Sequence, residues 1–331
     1  MSDDAHNAPV ASVAKASAIE PISLSLYDTD FATFSEKLGA SFERYGFAVI
    51  SELFDHPKLG ISRANVERAL AVTKAFFALP EAAKLAYRLK NAGGQRGYTP
   101  FGIETAKGHT HHDLKEFWHT GRELPDAHPY RETMPDNVWP HEVPGFRDEI
   151  EGLYNGLDYL GKHVLKAIAV YLGLDQEFFA PTVREGNSVL RLLHYPPVTD
   201  PGESVRAGAH GDINTITLLM GAEEPGLQLL DRDGTWLPIT PPEGCIVINI
   251  GDMLSRLTNH VLPSTVHRVV NPADSRKGFA RYSTPFFLHF EPPYLIKTLP
   301  SCVTAERPDA YPEPITAEEF LNQRLREIKL A

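Results

Sequence analysis

Ala207–Leu219 reads AGAHGDINTITLL, and its interpretation decides the fold. His210 and Asp212 stand two residues apart at the head of a run rich in β-branched residues, Ile213, Thr215, Ile216 and Thr217. Residues i and i+2 of a strand project from one face, so the imidazole and the carboxylate are expected on the same side of a sheet. His267, in the second β-rich run STVHRVV (264–270), offers another imidazole from a distant strand. Two nitrogens and one oxygen gathered on one side of a metal ion leave its remaining positions open.

Working outward from this stretch, short β-rich runs recur from Ser188 onward: SVLRLLHY, INTITLLM, GLQLLD, TWLPIT, CIVINI, STVHRVV and STPFFLHF. Pro, Gly and Asp punctuate them, the pattern of a sandwich or barrel. Their number and the length of their connections suit a double-stranded β-helix, a jelly roll of about 8 strands. In this reading Asn249 is a turn residue and Asp252 the N-cap of a short helix. Upstream the periodicity is helical. Phe31, Phe34, Leu38, Phe42 and Tyr45 mark an amphipathic helix, Asn65–Leu79 a second and Glu81–Leu89 a third, after a short strand at Ile22–Leu26 and another at Phe47–Ile50. Apolar residues at 150, 153, 157, 160, 164, 165, 168 and 172 predict one long helix backing the sheet. The fold class expected is α+β with a mainly β core: a jelly roll flanked by N-terminal helices and a long backing helix.

A further pair follows His267. Arg281 and Ser283 share a strand face, and a guanidinium fork beside a hydroxyl is a carboxylate receptor. Tyr195, upstream of His210, offers a phenol to the same pocket. His-x-Asp with a distal His is the facial triad of non-haem iron(II) oxygenases. Together with Arg-x-Ser, the order of these residues resembles the isopenicillin N synthase-like family of iron(II) and 2-oxoglutarate-dependent dioxygenases. GFAVIS, the helix ending FFALP, and RGYTPFG extend the resemblance into the N-terminal region. The resemblance implies that His210, Asp212 and His267 are catalytic and bind Fe(II). It also implies that 2-oxoglutarate chelates that ion and meets Arg281, Ser283 and Tyr195 with its far carboxylate. With O2 the products would be succinate, carbon dioxide and an oxidised, in the first instance hydroxylated, small molecule. One departure is plain: many members carry Asn-x-Tyr where this chain has Leu193-His194-Tyr195, which removes one polar contact to the cosubstrate. Two alternatives remain at this level, an ethylene-forming or isopenicillin N synthase-type oxidase with the same iron site, and a non-catalytic ligand-binding roll.

At 331 residues and 42% hydrophobic, the chain has ample material for a core. A formal charge of −11 and a pI near 5.7 argue against nucleic acid as a partner, because such binding rests on Lys and Arg neutralising phosphate. Only Cys245 and Cys302 are present, which suits a reducing compartment rather than a disulfide framework. Residues 1–20 lack periodicity and read as a disordered leader, without the basic start and apolar stretch of a secretory signal. No run approaches a membrane span. A cytoplasmic protein with one oxygenase domain over 21–331 is expected, its N-terminal region at 21–145 and the backing helix, roll and C-terminal helix at 146–331. Thr316 and Glu319 form a capping box for that last helix. Several residues have a plain structural reading: His163 on a helix face, Arg96 at the surface, His109, His111 and His112 in a solvated loop, and Lys115–Glu116 as a strand-edge ion pair. The Pro-, His- and aromatic-rich stretch 93–144 is expected to form a lid over the mouth of the roll.

Overall fold

Arg281–Leu288 alternates in burial and chemistry, and the architecture follows from that alternation. The computed structural model describes residues 19–89, 94–103, 114–197, 206–220, 226–271 and 278–327. Most of the expected leader, and His109, His111 and His112, lie outside the described residues. In order, the chain forms β1 (Ile22–Ser23), α1 (Ser25–Thr29), α2 (Phe31–Tyr45), β2 (Phe47–Ser51), α3 (Arg63–Phe77), α4 (Glu81–Leu85), β3 (Gly97–Thr99), β4 (Glu116–Gly121) and α5 (Phe146–Tyr171). The roll follows: β5 (Val189–Tyr195), β6 (Ala207–His210), β7 (Ile216–Met220), β8 (Leu227–Leu230), β9 (Trp236–Pro238), β10 (Ile246–Ile250), α6 (Asp252–Leu257), β11 (His267–Val269) and β12 (Arg281–Leu288). β13 (Leu295–Ile296), β14 (Ile315–Thr316) and α7 (Ala317–Glu327) complete it.

β10-β7-β12-β5 and β6-β11-β8-β9 are the two sheets of a double-stranded β-helix. β2 and β1 extend the first sheet at one edge, β4 and β3 at the other. Between the two sheets Phe47, Val49 and Val247 pack against Ala207, Leu227, Leu229, Ile239 and Val269. The outer face of the larger sheet carries Leu190, Leu192, Ile216, Leu218, Ile248, Phe286 and Leu288, which join the core formed with α5. Burying each such side chain stabilises by about 1.5–3 kcal/mol. Close approach of α5 requires Gly161, where a Cβ would sit 2.5 Å from Leu288 Cδ1.

Local chemistry sets the element ends. Asp30 caps α2 by accepting from the Thr33 amide, and Gly46 ends it in the left-handed region at φ 68°, turning the chain directly into β2. Ser62 caps α3 through the Asn65 amide, so that helix begins two residues earlier than its apolar pattern suggests. The strand expected at Ile22–Leu26 stops at Ser23, because the Ser25 amide bonds to Ser23 Oγ and the chain turns into α1. The third helix is also shorter than its sequence suggests. After Leu85 the Tyr87 carbonyl accepts from the Tyr98 amide, which draws the chain toward β3.

Other expectations are corrected by the sheet. Asn249 lies inside β10, not in a turn. Asp252 is the first residue of α6, with Gly251 at the cap, and its carboxylate accepts from Arg324 of α7. Arg96 is buried rather than at the surface, and Glu116 lies within the sheet rather than at its edge, accepting from Lys84, Tyr98 and His194. Part of the expected lid is strand: β4 is hydrogen-bonded on both sides, to β3 and β5. His163 stays on the face of α5, its Nδ1–H donating to the Tyr159 carbonyl. No helix among the described residues is long and apolar enough to cross a membrane.

Candidate active site

β6 ends at His210, directly opposite His267 at the start of β11, and Asp212 lies two residues beyond His210, past Gly211. The nitrogens and oxygen offered by His210, Asp212 and His267 all lie within 4.8 Å of one another. Asp212 Oδ1 is 3.9 Å from His210 Nε2 and 3.8 Å from His267 Nε2. Its other oxygen is already engaged, accepting from Thr217 Oγ1 at 2.6 Å and Asn249 Nδ2 at 2.8 Å. The carboxylate is thereby fixed with one oxygen turned to the imidazoles.

Both histidines are oriented by main-chain carbonyls. His210 Nδ1 meets the Gly208 carbonyl at 2.7 Å and His267 Nδ1 the Thr265 carbonyl at 3.2 Å. A carbonyl only accepts, so each Nδ1 carries the proton and each Nε2 lone pair is left facing the centre. Burial, reinforced by the neighbouring His267, pushes His210 down to about 4 and keeps it neutral near pH 7. Burial raises the Asp212 carboxyl, but the two imidazoles and the bonds from Thr217 and Asn249 outweigh it and hold the group below its ordinary range. A buried carboxylate with two imidazoles is a donor set that fits one divalent transition-metal ion.

Arg281 lies opposite Tyr195, and Ser283 opposite Leu193. The Arg281 guanidinium donates to the Tyr195 phenol and sits 5.1 Å over its ring. Arg281, Ser283 and Tyr195 are all buried, on the inner wall of the larger sheet. Burial lowers the Arg281 pKa, yet the group remains a cation at neutral pH. The arrangement suits one end of a dicarboxylate.

The same face continues with residues that the linear pattern did not single out. Arg191 stacks between the Phe117 and Phe287 rings, 4.3 and 5.2 Å from their centroids. Its Nε donates to His119 Nε2 at 2.6 Å, while His119 Nδ1 donates to the Gly94 carbonyl at 2.6 Å, which fixes the neutral tautomer. Phe287 pairs in register with Thr217, the residue that bonds Asp212, so this cluster borders the metal end. His289, just past β12, lines a small cavity with Asn187, Gln95 and, from α7, Leu321 and Asn322. A signal for Arg191 did exist in the sequence, since it shares strand parity with Leu193 and Tyr195. Nothing local marks Asn249 as a partner of Asp212.

The model described as the 2OG-Fe(II) oxygenase superfamily matches residues 186–290, and that of the N-terminal region of non-haem dioxygenases in morphine synthesis matches residues 19–142. The chain is 36% identical over 272 residues to the 2-oxoglutarate-Fe(II) type oxidoreductase hxnY of Emericella nidulans, covering 79% of this chain and 76% of that one. This chain belongs to the 2OG-Fe(II) oxygenase superfamily. Among solved structures, this oxygenase is similar to a 2OG-Fe(II) oxygenase family protein from Caulobacter crescentus, with 63% identity and a TM-score of 0.87 over 95% of this chain and 100% of the other. It is also similar to a full-length Neurospora crassa protein solved in complex with α-ketoglutarate, at 31% identity and a TM-score of 0.81 over 93% and 95%. That Neurospora protein has been solved with α-ketoglutarate and thymine as well. The oxygenase therefore uses Fe(II), 2-oxoglutarate and O2. When bound, these supply oxidative decarboxylation of the keto acid to succinate and carbon dioxide, coupled to oxidation of a second substrate.

Proposed function

We propose that His210, Asp212 and His267 hold the iron, that Arg281, Ser283 and Tyr195 bind the far carboxylate of 2-oxoglutarate, and that the enzyme hydroxylates a compact, partly apolar small molecule. One observation carries the substrate reading. A guanidinium held between two phenyl rings, Arg191 between Phe117 and Phe287, borders the metal end of the inner wall. Such a wall suits a small substrate that pairs an apolar or planar body with a carbonyl or carboxylate group. The structure of the Neurospora protein with thymine, a molecule of that description, supports the reading by analogy.

Each residue has a definite task in this scheme. Thr217 and Asn249 keep the second oxygen of Asp212 occupied, so the carboxylate presents one oxygen to the metal. The Gly208 and Thr265 carbonyls hold the protons on the Nδ1 atoms. Arg281 neutralises the dicarboxylate's buried far end. His119, fixed as the neutral tautomer, orients Arg191 and does not compete for a substrate anion.

The test is a metabolite screen with purified protein, ferrous iron and 2-oxoglutarate in air, following succinate release coupled to loss of the added compound. A coupled compound is expected among small carbonyl- or carboxylate-bearing molecules, and Arg191→Ala should raise its KM while leaving the 2-oxoglutarate requirement unchanged. No coupled compound, with ethylene accumulating instead, would overturn the hydroxylase reading.

A further inference from the structure

Arg206 has no part in the family motif, yet it is fully buried, at 0% exposure, beside the Arg281 end of the roll. Its guanidinium lies 6.0 Å from the Tyr195 ring centroid, the ring that Arg281 also covers from 5.1 Å. Its Nη2 donates to the Phe279 carbonyl at 3.1 Å, just before β12. Nε and Nη1 are buried with no hydrogen-bond partner among the described residues. Nor does any carboxylate among those residues form an ion pair with it. Its pKa is pushed down to about 10, by burial and by the charge of Arg281. Burying an unpaired cation costs several kcal/mol, and a second cation of like charge at its side adds to that cost. A buried guanidinium with two donors unmet among the described residues is suited to receive an anion.

We propose that Arg206 is a second guanidinium for the far carboxylate of 2-oxoglutarate, acting with Arg281. The inference rests on the assignment of Arg281 to that carboxylate. Nε and Nη1 each have an N–H to offer an entering anion while Nη2 stays on the Phe279 carbonyl.

The experiment measures binding without turnover, by calorimetry on the manganese(II)-loaded protein, with 2-oxoglutarate and with 2-oxopentanoate, which lacks the far carboxylate. Arg206→Met is expected to weaken 2-oxoglutarate binding about 10- to 100-fold and to leave 2-oxopentanoate binding within twofold. Arg206→Lys, which keeps the charge and loses the fork, should fall between, and it carries the test if the methionine variant does not fold. Unchanged 2-oxoglutarate affinity, or an equal loss for both keto acids, overturns the inference, the latter because it would mark Arg206 as a purely structural support for β12. Arg281→Lys in the same assay separates the two levels: if it leaves 2-oxoglutarate affinity unchanged, the carboxylate assignment itself has failed, whereas a loss there with none at Arg206 removes only the second guanidinium.

Discussion

The two faces of β12 are one strand with opposite duties. Arg281, Ser283 and Phe287 point into the roll, toward Tyr195, Arg191 and the metal end, whereas Phe286 and Leu288 pack outward in the core shared with α5. Phe286 and Leu288 are fully buried among apolar neighbours and stabilise the fold outright. The inner face instead places the Arg281 guanidinium in a low-dielectric wall, where burying the charge opposes folding. Stability and recognition are thus divided by side-chain parity, and a register slip of one residue would exchange them.

The largest effect should come from the inner face. His267→Ala or Asp212→Ala is expected to bring 2-oxoglutarate-dependent succinate formation below detection, with the thermal midpoint of the metal-free protein little changed. Calorimetry showing ferrous iron bound as tightly by either variant would break the assignment of the inner face to the metal. The outer face should respond oppositely. Phe286→Ala is expected to cost about 3–5 kcal/mol in denaturant unfolding, while 2-oxoglutarate affinity in the folded protein stays within twofold. A loss of affinity comparable to the loss of stability would show that the two faces are not separable.

Finer contrasts lie within the inner wall. Arg281→Lys should weaken 2-oxoglutarate binding about 10- to 100-fold and Ser283→Ala about fivefold, as expected for roughly 1.5–3 kcal/mol in a charge-assisted bond against about 1 in a neutral one. Equal effects of the two substitutions would contradict that ranking. Asn249→Ala leaves all proposed ligands in place and removes one bond to Asp212 Oδ2. It should weaken metal binding about 10-fold, and an unchanged metal dissociation constant would reduce Asn249 to a packing role.

The smallest effect concerns pH at the end of β12. Burial pushes His289 down to about 4, below the ordinary value of 6.5. The unfolded chain therefore takes up this proton first, so the metal-free protein loses stability progressively as the pH falls from 6.5 toward 4. His289→Asn should make the urea midpoint less sensitive to acid between pH 7 and 5. Identical pH dependence in parent and variant would mean that His289 is not held neutral.

The sequence by itself determined which side chains share a face. The i, i+2 spacing of His210 with Asp212 and of Arg281 with Ser283, the alternation along the strands, and the 3.6-residue period of α5 are all local, and local geometry projects them without knowledge of neighbours. The three clustered metal-type donors, the pairing of Arg281 with Ser283, the jelly roll and its backing helix were legible for that reason. Tertiary structure alone decided what lies beside each face. Asn249 reads as a turn residue in isolation, yet the ladder of β10 on β7 brings it to Asp212, 37 residues away in the chain. The same holds for β4, whose residues look like loop or lid until β3 and β5 hydrogen-bond to both edges, and for Arg96, an ordinary surface arginine until the sheet closes over it. Arg206 comes to the Tyr195 ring through packing across the roll, not through any spacing along the chain. Neighbours perpendicular to a strand are set by register and sheet order, and these depend on hydrogen bonds between segments that no local pattern connects.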